Sequence, residues 1–439
     1  MLMGVVDTIM VGHVSTTALA AVALGNFYTF GLSVFGLGVL LALDPIVAQA
    51  IGAADRLAVT RGLQRGLILS VVLTVPTSLV LLTVDPVLTL VRQPAEVIPY
   101  AAGYVYRVLP AVWPFYAFVV LRQTLQAHRH TRPIVLSILA TNLINAVLNY
   151  ALIFGRLGFP TMGVLGSAWA TTISRWLMAV SLLALGWKHL TPYLRHLAPR
   201  VFDPKPIGRM LRLGTPIGVQ MLLEWGAFGA IALLMGWLGI IQVAAHQVAL
   251  NLASLTFMVP VGISSAASVL VGHAVGRGDA EDVRRSSMAA ILLGASFMSL
   301  AAVAFISFPA FLAGLYSESA EVLRLVVLLL PIAGVFQVFD GIQVVSLGVL
   351  RGLGDTRVPM IVSILGFWCL GIPVSLWLAF GRDLGAIGLW WGLVVGLAAT
   401  AVFLIARIKH LEQYELARIM IDEHLGPHPG SEPAAGLTE

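Results

Sequence analysis

Three carboxylates, Asp7, Glu224 and Asp340, stand in long apolar runs where an ionised group has no obvious reason to be. Glu224 is the only Asp, Glu, Lys or Arg between Arg212 and Arg277, and Asp340 is the only one between Arg324 and Arg351. A charge at the centre of a bilayer costs about 2.5–3.5 kcal/mol on insertion scales, so an acid retained there faces a cavity, a partner or an ion path. The helix neighbours of these acids are polar. Gln220 lies one turn before Glu224, while Gln337 and Gln343 flank Asp340 at the three-residue spacing that puts side chains on one face. In low dielectric a lone carboxylate is cheapest when a proton or a bound cation neutralises it, and either event can couple the chain to an ion gradient. A hard cation such as Na⁺ wants several oxygen ligands, with Glu224 and Asp340 as its anchors. Asn142, Asn145 and Asn149 fall within an arc of about 60° on one helix and offer further amide oxygens, or hydrogen bonds that hold helices together. The alternative for the acids is a packing role, hydrogen-bonded to neighbouring helices.

The elements that must position these residues follow from composition. Of 439 residues 59% are hydrophobic and 11% charged, and the mean hydropathy is +0.93. A soluble domain carries about 25% charged residues, so lipid is the solvent here. The apolar runs are continuous and not alternating, which predicts membrane helices and not a barrel. At about 20 residues per span the chain divides at 18–48, 60–83, 97–122, 132–154, 162–188, 207–236, 243–272, 283–313, 322–350, 357–380 and 384–408. Met1–Gly12 is apolar and helical in character but too short to cross, and is expected to be the outer half of a twelfth, truncated helix whose beginning is absent.

Charge placement tests this layout. With the first helix running outward, 20 of the 26 Lys and Arg residues fall in alternate, cytoplasmic segments, five fall on the other side, and Arg175 lies within a span. Both termini are then cytoplasmic. Internal repeats appear at one offset: Thr131-Arg-Pro returns at Thr356-Arg-Val-Pro, Gly163-x-x-Gly-x-x-Trp169 at Gly385-x-x-Gly-x-x-Trp391, and Ile-Gly-Ala-Ala-Asp55 at Val-Gly-Arg-Gly-Asp279. Six helices per unit place both halves in the membrane in the same sense, related by an axis along its normal. The expected organisation is a first bundle at 1–188, a cytoplasmic linker at 189–212 carrying four prolines, a second bundle at 213–408, and a tail at 409–439. After about Arg418 the tail turns polar and Pro/Gly-rich, and is expected to be largely disordered.

Several classes are excluded. The net charge of +5 is spread over loops and not gathered on a face, so nucleic acid is not a partner. The single cysteine, Cys369, allows no disulfide, and no phosphate-binding loop is present for ATP drive. Two alternatives to an exporter stay open: a flippase for lipid-linked oligosaccharides, which needs cationic groups facing a pyrophosphate where here one intramembrane arginine stands against three acids, and, ranked below it, a membrane prenyltransferase-type enzyme, which needs clustered carboxylates for Mg²⁺. Arg175 is expected to pair with an acid or a carbonyl, Asp44 to lie at the cytoplasmic mouth, and His246 and His273 to be interfacial.

Gly4-Val-Val-Asp-Thr-Ile-Met-Val-Gly12, Asn145-Ala-Val-Leu-Asn149-Tyr150, Gly214-Thr-Pro-Ile-Gly218 leading to Glu224, His246-Gln-Val-Ala-Leu-Asn251 and Leu350-Arg-Gly-Leu-Gly-Asp-Thr356 resemble the multidrug and toxic compound extrusion (MATE) family, in its NorM-like branch. The resemblance covers nearly the whole chain. It implies an all-α transporter of twelve helices in two bundles, a V-shaped cavity, and export of organic cations and drugs against H⁺ or Na⁺, with no cofactor and no enzymatic step. It also implies a monomer in a bacterial inner membrane. Family acids in the first, seventh and tenth helices match Asp7, Glu224 and Asp340, and fifth-helix asparagines match Asn145 and Asn149. Phe336 stands one turn before Asp340, where some members place a tyrosine. That change removes a hydroxyl ligand and tilts the expected coupling ion toward H⁺.

Overall fold

In a computed structural model, residues 2–316, 319–413 and 417–422 are described, and among them no strand occurs. A short helix, α1 (Leu2–Gly12), precedes eleven helices long and apolar enough to cross a membrane: α2 (Thr16–Gly52), α3 (Arg56–Leu81), α4 (Ile98–Ala127), α5 (Arg132–Phe154), α6 (Val164–Leu194), α7 (Pro204–Leu238), α8 (Ile240–Arg277), α9 (Ala280–Ser307), α10 (Ala320–Leu353), α11 (Arg357–Gly381) and α12 (Gly385–Leu411). The chain is an integral membrane protein of the expected all-α class.

Local sequence explains the departures from ideal helices. Pro45 has no N–H and crowds the carbonyl four residues earlier, so α2 breaks at Leu41–Ala42. The span expected at 283–313 ends at Ser307, because Pro309 opens a separate helix, Pro309–Gly314. The stretch expected as a long linker is shorter than its prolines suggest: α6 continues to Leu194 and α7 begins at Pro204, capped by Asp203. In α11 the backbone widens into π-helical turns at Leu365–Gly371 and Trp377–Gly381, on either side of Pro373.

The repeated motifs are helix-start devices. Asp55 and Asp279 cap α3 and α9, accepting from the N–H of Ala58 and of Asp282, each at 2.9 Å. Gly163 and Gly385 open α6 and α12 at φ values of 53° and 54°, a left-handed backbone that disfavours any other residue. Three residues on, Gly166 and Gly388 cross the preceding helix so closely that a Cβ would sit 2.6 Å from its backbone. Such crossings of small residues hold membrane helices together where the hydrophobic effect cannot.

Apolar packing among the described residues forms three clusters. One apolar cluster draws on residues from Val11 to Ile217, and two others lie between Ala227 and Ile408. Gly392 of α12 crosses α11 closely, with a Cβ there only 2.1 Å from Ser375 Oγ. Gly392→Val is expected to destabilise the protein by about 1–3 kcal/mol through overpacking. The check is thermal unfolding in detergent, and an unchanged midpoint would contradict this account of the α11–α12 contact.

The stretch after Arg418 departs from expectation where it is described. Arg418–Asp422 lies against the bundle, pairing with Asp55, Arg61 and Arg65. Residues 423–439, where the remainder of the disorder was expected, lie outside the described residues.

Candidate functional site

Polar groups in the apolar interior gather in three places. The first is built by α1, α5 and α6. Asp7 is 1% exposed, and each of its oxygens accepts one hydrogen bond: Asn149 Nδ2 donates to Oδ1 and Thr171 Oγ1 to Oδ2, both at 2.6 Å. Asn149 Nδ2 also reaches Asn145 Oδ1 at 3.2 Å, as the four-residue spacing of the two amides on α5 demands. Asn149 Oδ1 is buried and has no partner among the described residues. A carboxylate beside an unsatisfied amide oxygen is a donor set that a proton, a water or a small cation completes. Asn142, on the edge of the same arc, turns back to the carbonyl of Ile138 and stays outside the cluster.

Arg175 does not make the pairing expected of it. Its guanidinium lies over the ring of Phe115, 5.1 Å from the centroid, with Nη1 unpartnered, and it acts on Asp7 only through space.

The second cluster joins α7 to α10. Glu224 is half-buried, and Gln343 Nε2 donates to its Oε1. Asp340 is buried on the same side of α10; among the described residues no side chain donates to it, and Glu224 is the charged group within its electrostatic reach. Gln220 is buried one turn before Glu224. Two residues expected at the cavity wall are elsewhere. Gln337 is fully buried and accepts from the Thr256 hydroxyl of α8. Phe336 is sealed among rings, edge-on to Phe228 at 6.1 Å and to Trp390 at 5.6 Å. His246, expected at an interface, is buried too, 5.7 Å from Trp390.

The third cluster lies toward the arginine-rich end, where α2 meets α8. Asp44 is buried, with Arg122 of α4 and Arg351 of α10 as its charged neighbours, and Arg351 also acts on Glu224. Arg351 is thus shared between Asp44 at the end seam and Glu224 of α7, while its Nη2 donates to Ser264 Oγ at 3.1 Å. Asp44 is therefore buried within the seam and is not at an open mouth. At this end the helices touch backbone to backbone. A Cβ on Gly52 would lie 2.2 Å from the His273 carbonyl, and one on Gly276 would lie 2.1 Å from that of Gln49.

Neither Thr171 nor the Asp44–Arg122–Arg351 group was visible as a site in the sequence. Thr171 sits in an ordinary Ala-Thr-Thr-Ile run, and only its position two residues after the repeated Trp169 could have drawn notice.

A family model, MatE, matches the chain over residues 1–151 and 216–377. The chain belongs to the MatE family. It is 38% identical over 407 residues to "Probable multidrug resistance protein NorM" of Rhizobium meliloti (strain 1021), covering 91% of this chain and 87% of that protein. It is also 38% identical to "Multidrug resistance protein NorM" of Burkholderia vietnamiensis, over 95% of this chain and 91% of that one. Among solved structures, the eukaryotic MATE transporter AtDTX14 superposes with a TM-score of 0.83 at 26% identity, over 93% of this chain and 91% of that one. A MATE structure described as in the bent conformation shares the fold, with a TM-score of 0.84 at 22% identity over 94% and 92%. The chain is a MATE transporter and not an enzyme.

Proposed function

We propose that this protein is a secondary active exporter of amphipathic organic cations and drugs, driven by antiport of H⁺ or Na⁺ across a bacterial inner membrane. The observation that carries this reading is the pair Glu224 and Asp340, two carboxylates within each other's field between α7 and α10, one of them without a side-chain donor among the described residues. A cationic substrate is attracted by the ionised pair, whereas a proton or Na⁺ removes that attraction, so the two ligands compete for one negative charge. Competition of this kind gives exchange. The NorM names of the relatives support multidrug substrates. Asp7 with Asn145, Asn149 and Thr171 is a second ion-responsive group, in the first bundle.

Of the two ions, H⁺ is favoured. Phe336 supplies no oxygen, its ring is sealed against Phe228 and Trp390, and Gln337 is engaged with Thr256, whereas protonation of a carboxylate needs no further ligand. The two bundles are 1–188 and 213–408, the protein works as a monomer, and the arginine-rich end is cytoplasmic. Closure of the α2–α8 seam then corresponds to a state shut toward the cytoplasm.

The test is ion movement in proteoliposomes free of Na⁺. An outward gradient of a lipophilic cation is expected to drive protons the opposite way, and imposed pH gradients are expected to accumulate the cation. Cation flux that follows a Na⁺ gradient and ignores pH would reverse the choice of ion; flux that ignores both would end the antiport reading.

A further inference from the structure

The stretch Arg418–Asp422 is anchored where the arginine-rich ends of four helices converge. Ile419 N–H donates to Gln49 Oε1 at 2.7 Å. The amide of Gln49, itself fully buried, donates from Nε2 to the Gly352 carbonyl of α10 at 2.9 Å, so one side chain ties α2, α10 and the tail together. Arg418 Nη2 donates to Asp55 Oδ2 at 2.9 Å, beside the seam. Arg209 of α7 donates to the Ile421 carbonyl at 2.6 Å. Asp422 closes the series on α3, with Arg61 Nη1 at 3.2 Å and Arg65 Nη2 at 3.0 Å. Arg65 is 1% exposed and is held in place by carbonyls of residues 200 and 201, so it stands pre-aimed at the tail. Ile421 adds apolar contact by packing against the first apolar cluster, while Met420, more than half exposed, lines the same pocket as Ile46, Ala58 and Met210.

This footing spans helices on both sides of the connection between α6 and α7, and it depends on the seam being shut. Gln49 reaches Gly352 from the same point of α2 at which Gly276 packs on the Gln49 carbonyl, one turn from where Gly52 packs on that of His273. Separating α2 from α8 and α10 at this end removes one of the surfaces on which the tail rests. A segment that binds one arrangement and loses contacts in the other biases the equilibrium by the difference in its binding energy.

We propose that residues 418–422 form a strap that docks on the arginine-rich end, holds it closed, and must release before that end can open. The inference rests on the transporter reading for its consequence, though not for the docking itself. Burial alone would push the Asp422 carboxyl up, but Arg65 and Arg61 outweigh it and hold it below the usual carboxylate range, so the pairing is present at neutral pH. Charge pairs on a flexible segment give a reversible latch: single exposed pairs are weak, and several acting on one segment add.

The test uses the full chain with Cys369→Ser, which removes its one cysteine. Ala58→Cys and Met420→Cys, two positions lining the same pocket, are joined by a short reducible bis-methanethiosulfonate in membrane vesicles. Cross-linking is expected in high yield, with export of a lipophilic cation falling by at least about tenfold and returning on reduction. Each single-cysteine variant treated in the same way should export normally, and the reduced double variant serves as the control for transport itself. A second measurement releases the strap without touching a helix. Arg418→Glu with Asp422→Arg is expected to raise labelling of His273→Cys by an impermeant maleimide by about fivefold or more, because that residue lies in the seam. Absence of the cross-link, cross-linked protein that exports as fast as the reduced double variant, or labelling unchanged by the charge reversals would each overturn the strap.

Discussion

Asp340→Asn is expected to reduce gradient-driven export by about ten- to a hundredfold, with Glu224→Gln close behind. The magnitude follows from the interaction removed. A charge-assisted contact in a buried setting contributes about 1.5–3 kcal/mol, and each 1.4 kcal/mol is about a factor of ten in an equilibrium. The substitutions keep shape and remove only the ability to ionise. Asp340 accepts no described hydrogen bond, so an amide in its place breaks no existing contact, and loss of transport cannot be assigned to a lost packing bond. Glu224 is less clean, because Gln343 already donates to it and a glutamine must turn its carbonyl toward that amide to keep the bond. The order of severity is therefore itself informative. Efflux from vesicles, with pH and Na⁺ gradients imposed separately, is the measurement. If both variants export at the parental rate under either gradient, the acids are packing groups and the competition mechanism is wrong. The pH dependence of organic-cation binding adds a second readout: the parent should bind more tightly as pH rises, and Asp340→Asn should flatten that rise.

Much of this arrangement was legible in the chain because hydropathy acts on whole segments. Eleven apolar runs yielded eleven spans, and the repeated Asp55 and Asp279, or Gly163 and Gly385, turned out to be equivalent caps and turns. Asp7, Asn145 and Asn149 were recoverable because two of them share one helix face and the third is an acid without a nearby base. Spacing fixes the angle of a side chain about its own helix, however, and not what the neighbouring helix places opposite. Gln337 and Gln343 both flank Asp340 at three residues, yet one is spent on Thr256 and the other on Glu224. Phe336 sits one turn from Asp340 but is enclosed by α7 and α12 rings. Thr171 became a ligand of Asp7 through the approach of α6 to α1, which no local pattern encodes. The tail shows the same limit in stronger form. Its composition argued for disorder, while its partners Arg61 and Arg65 lie more than 350 positions earlier in the chain.

Gly276→Ala is expected to disfavour closure of the arginine-rich end and to lower export by at least about tenfold, although alanine is the better helix former. In α8 the exchange favours the helix by about 1 kcal/mol, so a loss of function cannot come from local unfolding. The cost lies across the seam. The new Cβ would stand 2.1 Å from the Gln49 carbonyl oxygen and 2.9 Å from Ala53 N, and both are backbone atoms that cannot swing aside as a side-chain tip can. Relief requires α8 to draw away from α2. That movement also breaks the Gln49–Gly352 bond and the opposing contact of Gly52 with His273. Taking a two-state equilibrium from 99:1 to 1:99 needs about 5.5 kcal/mol. Overpacking of about 1–3 kcal/mol with the loss of a hydrogen bond worth about 0.5–1.5 kcal/mol falls short of a full reversal but shifts the equilibrium by about ten- to a thousandfold. Gly262→Ala on the same helix is the matched control, since nothing lies within 4 Å of a Cβ there. Labelling of His273→Cys in the Cys369→Ser background should rise sharply in Gly276→Ala and stay at the parental level in Gly262→Ala. Parental export and labelling in Gly276→Ala would mean that the seam tolerates a side chain, and that closure at this end does not depend on backbone contact between α2 and α8.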